Sequence, residues 1–265
     1  MCRPYPYTER VLENPRRRKT LVFVHAHPDD EALLTSGTMA RAVAEGNRVV
    51  LIVATNGEAG LTTGSMKKGL GSRRMAELEN STRALGVSRT VALGHHDSGL
   101  YGEVISGFAH TDPNAIAASI TAICDEEGAD VLVGYDPSGG YGHPDHTQVH
   151  RVVRLAAERA ARTPTLFEAT LPREPIVRAV RTAAALHLTP KDFDPAEFAN
   201  AWTPKDEITH RVNVREFLNQ KRNSLRAHAS QASADGTVRT LGIIAKLPPK
   251  VLGSIMGTEY YVLVK

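Results

Sequence analysis

The chain has 265 residues, of which 42% are hydrophobic and 23% charged, with a net charge of +3. Those are ordinary globular values for a chain long enough to bury a full core, and the charge is too small to argue for nucleic acid by itself. Two cysteines, Cys2 and Cys124, make no disulfide framework.

The first twenty residues hold no apolar h-region, and no apolar run approaches the roughly 18 residues of a membrane span. A soluble, cytoplasmic protein is expected. The basic run Arg16 to Lys19 reads as a solvated lead-in to a strand. Strands follow at Leu21 to His25, Arg48 to Thr55, Arg89 to Leu93 and Asp130 to Tyr135. They are β-branched, nearly continuous and bounded by turn residues, as strands buried on both faces of a parallel sheet are. Helical spacing lies between them at Ser36 to Glu45, Ser72 to Leu85 and Asp112 to Glu127, each stopped by a glycine, and again from Asp145 to about Ala161.

This alternation predicts a Rossmann-like α/β domain over 20–163, a mostly parallel sheet with flanking helices. No GxGxxG follows the first strand, which disfavours the nucleotide-binding version. Residues 1–19 form a lead-in. Residues 164–265 are broken by Pro164, Pro172, Pro175, Pro190, Pro195 and Pro204. They read as an α+β extension with a helix near Val214 to His228 and a last strand at Tyr260 to Val264, packed on the first domain and shaping the substrate side. Cys124 falls in an apolar helical run and reads as a buried thiol.

Ligands bind outside the carboxyl ends of the strands in an open parallel sheet. Polar clusters follow all four strands there: His27-Pro28-Asp29-Asp30-Glu31, then Asn56-Gly57-Glu58, then His95-His96-Asp97-Ser98-Gly99, then Tyr141-Gly142-His143-Pro144-Asp145-His146. Connectivity brings the two His-Pro-Asp segments into one crevice. A catalytic zinc takes about three protein ligands and keeps one position open. His27 and Asp30 are three positions apart and can share a metal, as can His143 and His146. All four together would close the site, so one must stay unliganded. Taken alone, either tripeptide is also a good helix-start sequence.

With these residues in hand, the sequence resembles the LmbE-like, or PIG-L, family of zinc-dependent N-acetylglucosamine deacetylases over roughly 20–160. The anchors are His27-Pro28-Asp29-Asp30-Glu31 and His143-Pro144-Asp145-His146. Phe23 to His27, Tyr135 to Gly142, Asp97-Ser98-Gly99 and Ala227-His228-Ala229-Ser230-Gln231 are similar to the mycothiol-pathway deacetylase and amidase branch. The resemblance implies zinc held by His27, Asp30 and His146, a set that also suits ferrous iron. It implies Asp29 as general base, His143 facing the substrate with Asp145 orienting it, and Tyr141 on the reacting carbonyl oxygen; the leaving amine takes its proton either from His143 or back from Asp29, two routes the sequence does not separate. It implies Arg74 and Asp97 on sugar hydroxyls.

The expected reaction is removal of an N-acetyl group from a small N-acetylglucosamine-containing molecule, with neither nucleic acid nor membrane as partner. Cleavage of a cysteinyl-glucosamine amide is the alternative within hydrolases. A ferrous-iron oxygenase and a binding module with a basic N-terminus are the alternatives outside them. Glu31 reads as a carboxylate supporting a ligand, His25 as hydrogen-bonded scaffold, and His95 and His96 as surface loop residues. Trp202 reads as packing. His110, His150, His187, His210 and His228 have no partner at ligand spacing and are assigned no chemistry.

Overall fold

The computed structural model describes residues 17–60, 69–187, 194–234, 237–238 and 240–265. Cys2, Arg16 and Pro190 lie outside the described residues. Seven strands form one sheet in the order β3-β2-β1-β4-β5-β9-β6. They are β1 Thr20–His25, β2 Arg48–Thr55, β3 Arg89–His95, β4 Val131–Tyr135, β5 Thr165–Thr170, β6 His210–Asn213 and β9 Thr258–Leu263. β7 (Ser233–Ala234) and β8 (Thr237–Val238) make a separate two-stranded ribbon. β1 to β5 pair in parallel, while β9 runs antiparallel to both β5 and β6.

The run Arg48 to Thr55 is buried from its second residue onward because both faces of the sheet are covered. β3 differs from expectation: it is the edge strand, and its residues are half-buried or exposed. Val22 and Val24 join one apolar cluster with Ile116, Ile120, Val149 and Val152, while Phe23 joins another with Met39, Leu51 and Leu78. Alternate residues of one strand thus feed two cores. The first core lies under α4 (Pro113–Glu127) and α6 (Pro144–Arg159), the second under α2 (Ser36–Ala44) and α3 (Leu70–Leu85). Asp112 caps α4 by accepting from the Asn114 N–H, Pro113 takes the first turn, and Gly128 at φ 59° ends it. Cys124 is buried within this helix, and burial pushes its thiol up to about 12.

The strands and helices expected between residues 20 and 163 are all present, with ends shifted by a few positions. The helix expected over Val214 to His228 is a 3-10 turn, Arg215–Phe217, followed by α8 (Leu218–Ala227). The proline-rich stretch holds more order than expected: β5, β6 and α7 (Arg173–Ala185) had no strong pattern. α9 (Ala229–Ala232), α10 (Thr240–Lys246) and α11 (Pro249–Met256) complete the helices, with α5 (Gly139–Gly142) and α1 (Asp30–Leu34) at the site itself. None of the described helices is long and apolar enough to cross a membrane.

A buried ion pair between α8 and β9 also engages the backbone of α1 and α2. Lys221 Nζ lies 2.6 Å from Glu259 Oε1 and donates to the carbonyl of Leu33. Glu259 also accepts the Gly37 and Thr38 N–H groups at the start of α2. At the other end of the sheet, Glu127 accepts from both Arg48 and Arg89.

Candidate metal centre and active site

The sheet order reverses direction between β1 and β4, and the two His-Pro-Asp segments leave the carboxyl ends of those neighbouring strands. That is the switch point where open α/β sheets carry their sites. α1 begins at Asp30, just past the first tripeptide, and His143 is the N-cap of α6.

Three buried atoms face one another across this crevice. His27 Nδ1 is 3.4 Å from Asp30 Oδ2 and 3.4 Å from His146 Nε2, and His146 Nε2 is 3.3 Å from Asp30 Oδ2. An ion about 2.0–2.1 Å from three tetrahedral ligands separates them by roughly 3.3–3.4 Å. The triangle therefore has the dimensions of one face of a metal tetrahedron. Each imidazole is turned to offer a bare nitrogen. His146 Nδ1 is 3.2 Å from the Gly139 carbonyl, and His27 Nε2 is 3.0 Å from Asp145 Oδ2. Donation at those atoms leaves Nε2 of His146 and Nδ1 of His27 free. The Asp30 carboxylate is held by the His27 N–H at 2.9 Å. Tyr135 stacks on His146 at 4.4 Å and 4°.

The charges favour a cation. Burial alone would lower His27, but Asp145, Asp30 and Asp97 outweigh it and hold the imidazole well above its ordinary range. Burial would raise Asp30, and His146 and His27 hold it well below. His27, Asp97, His143 and Asp145 also bring ligand atoms within 4.8 Å of one another. Asp145 in that second group is already engaged. Its oxygens accept from His27, the Ser98 N–H and the Ala109 N–H. His27, His143 and His146 likewise bring ligand atoms within 4.8 Å of one another.

Asp29 sits beside the triangle at φ 111°, a left-handed conformation that costs a non-glycine residue about 1–3 kcal/mol. Its N–H donates to Glu31 Oε2 at 2.9 Å, and its Oδ1 is 3.1 Å from Arg74 Nη2. Burial, with Asp30 and Glu31 nearby, pushes its carboxyl up to about 6 against the pull of Arg74. Arg74 is buried and also donates to the carbonyls of Gly57 and Pro28, with only Nε lacking a hydrogen-bond partner. Its guanidinium thus meets Asp29 and backbone. Asp97 is buried with Oδ1 3.6 Å from His27 Nε2 and accepts the Gly99 N–H.

One expected relationship is different. The Asp145 carboxylate was expected to orient His143, and it reaches His27 instead. Asp145 sits in the first turn of α6 with its carboxylate engaged by His27, Ser98 and Ala109. What joins it to His143 is its backbone N–H, which donates to His143 Nδ1 at 3.2 Å. That bond favours the neutral tautomer with Nε2–H. Burial, with His27 and His146 close by, pushes His143 down to about 4.

Tyr141 is 41% exposed, with its ring edge-on to His143 and His146 at 6.0 and 5.3 Å. Its loop is fixed from behind. Asp136 accepts the Gly140 N–H, and the Trp202 N–H donates to the Gly140 carbonyl at 2.7 Å. The Trp202 ring lies 6.4 Å from Tyr141 and so close to Gly140 that a Cβ there would stand 2.6 Å from it.

His228 has no partner at ligand spacing in the sequence, yet its Nε2 is 2.6 Å from Glu31 Oε1. The stretch Ala227 to Gln231 was a visible signal, but its target was not. Ser230 likewise binds Glu77 through both N–H and hydroxyl. His25 is scaffold, as expected, 2.8 Å from Thr35 Oγ1 and 3.0 Å from Tyr135 Oη. His96 is exposed and pairs with Glu58.

A family model described as PIG-L, GlcNAc-PI de-N-acetylase, matches residues 22–157. A 1D-myo-inositol 2-acetamido-2-deoxy-alpha-D-glucopyranoside deacetylase of Rhodococcus opacus is 36% identical, over 93% of this chain and 92% of its own. A protein of that description from Nocardia farcinica is 37% identical, over 92% and 90%. Among solved structures, an A40926 pseudoaglycone deacetylase matches with a TM-score of 0.63 at 19% identity, over 93% of this chain and 97% of that one. N,N'-diacetylchitobiose deacetylase from Pyrococcus horikoshii matches with a TM-score of 0.59 at 21% identity, over 96% and 86%. At such identities the likeness of structures speaks for the fold alone.

Proposed function

The chain belongs to the PIG-L family of de-N-acetylases, and from that premise we propose a zinc-dependent hydrolase that removes the N-acetyl group of a small N-acetylglucosaminide. The observation that carries this reading is the triangle of His27 Nδ1, Asp30 Oδ2 and His146 Nε2, with Asp29 and His143 beside it. The activity named for these relatives makes a glucosaminide of inositol the first substrate to test.

His27, Asp30 and His146 hold the ion. Bound there, zinc supplies the Lewis acidity that makes water acidic near neutral pH. Asp29 accepts the proton of the attacking water, and its raised carboxyl suits that duty. His143 offers Nε2–H, and Tyr141 its hydroxyl, to the oxygen of the amide carbonyl as charge develops on it. The leaving amine needs a proton. Because His143 Nδ1 is engaged by the Asp145 N–H, the ring has no place for a second proton without breaking that bond. Asp29 therefore returns the proton it took. Arg74 and Asp97 serve the sugar hydroxyls, and the residues from 164 onward shape the substrate side.

The test is a metal-resolved assay. Bound zinc and iron are quantified, and amine release is measured on the inositol glucosaminide, other N-acetylglucosaminides and cysteinyl-glucosamine amides. Amine release from an N-acetylglucosaminide that depends on the metal is expected. Metal-loaded protein inactive on every N-acetyl substrate would overturn the reading.

A further inference from the structure

We infer that Glu31 and His228 are positioning residues that hold Asp29 in its reactive pose, so that the C-terminal region completes the catalytic machinery from beneath. The inference rests on the reading of Asp29 as the base. A residue with a side chain stays at φ 111° only where its surroundings over-determine it. Here the Asp29 carbonyl accepts from the N–H groups of Ala32 and Leu33, and its N–H is taken by Glu31 Oε2. Two residues beyond the base, Glu31 thus closes a tight loop back onto it.

Glu31 needs holding in turn. Its side chain is fully buried, and an ionised carboxylate only accepts. Its other oxygen, Oε1, is 2.6 Å from Ser81 Oγ and 2.6 Å from His228 Nε2. With its proton on Glu31, Ser81 accepts from Ser224 Oγ at 2.7 Å. These donors come from α3, α8 and the bend between α8 and α9. His228 is buried and its Nδ1 has no hydrogen-bond partner. The polar work of the ring is therefore directed at Glu31. Without that donor, the carboxylate turns toward Ser81 alone and Oε2 leaves the Asp29 N–H.

The experiment compares His228→Phe, which fills the space without a donor, with His228→Gln, which keeps one. Asp29→Asn runs in parallel. For each, kcat and KM are measured on the inositol glucosaminide, zinc affinity by chelator competition, and φ of residue 29 by crystallography. His228→Phe is expected to lower kcat by about 10–100-fold, with KM and zinc affinity close to wild type and residue 29 out of the left-handed region. His228→Gln is expected to recover most of the kcat. Wild-type kcat in His228→Phe, or φ of residue 29 unchanged in it, overturns the inference. If His228→Phe does not fold, Ser81→Ala removes a donor to the same oxygen and is held to the same outcomes. Full turnover by Asp29→Asn would overturn the base reading alone, and the φ measurement would still decide whether the clamp exists.

Discussion

Asp145 and His27, 118 positions apart, meet at 3.0 Å between Oδ2 and Nε2. The second His-Pro-Asp segment thus fixes the ring of the first, with its Nδ1 toward Asp30 and His146. Asp145→Ala is expected to weaken zinc binding by about 10–100-fold, measured by chelator competition. Unchanged affinity with lost turnover would return Asp145 to His143.

Asp29 touches none of the three triangle atoms in the way they touch one another, and its partners are Arg74 and Glu31. Asp29→Asn is expected to keep near-wild-type zinc content and lose turnover by about 10²–10⁴-fold. Near-wild-type hydrolysis by the zinc-loaded variant would remove Asp29 from the base role.

His143 offers its Nε2 side to the crevice while Nδ1 caps α6. His143→Ala is expected to cost about 10²–10³-fold in kcat, with a much smaller change in zinc affinity. A parallel collapse of zinc affinity would make His143 a ligand.

Lys221 is fully buried against Glu259. Lys221→Ala leaves that carboxylate with the Gly37 and Thr38 N–H groups and the Tyr261 hydroxyl. Urea denaturation is expected to read a loss of about 3 kcal/mol. A loss too small to measure would mean the pair does not tie α8 and β9 to α2.

Glu127 is held at about 2, below its ordinary 4.5, mainly by its bond to Arg48, with Arg89 adding to it. A folded-state value below the unfolded one gives stability that is fully present above pH 4.5 and is lost as pH falls through about 2. Glu127→Gln is therefore expected to melt below wild type at neutral pH, with the gap closing between those two values. A gap independent of pH would assign it to packing instead.

β1, β2 and β4 were legible because both of their faces are covered, which writes a continuous β-branched run into the sequence. β3 carries the same kind of run between turn residues, although the edge of the sheet leaves it half-exposed. β5 escaped notice because Glu168 sits inside it, buried only through Arg154 and His150. β6 alternates half-buried and exposed residues over a four-residue span, too short to show a period. The site was legible where its residues are close in sequence, as His27 and Asp30 are. Partnerships set by the tertiary fold, Asp145 with His27 and His228 with Glu31, leave no spacing to read. A carboxylate two residues from a histidine invites a local pairing, and here the turn into α6 sends it elsewhere.

Trp202 is the chain's only tryptophan, and it rests against the loop that carries Tyr141. The protein therefore carries its own optical probe. Emission excited at the red edge of the indole band comes from one known position, directly behind the mouth of the crevice. Stopped-flow records of that emission, taken as metal or sugar is mixed in, report on the surroundings of the tyrosine loop without any attached dye.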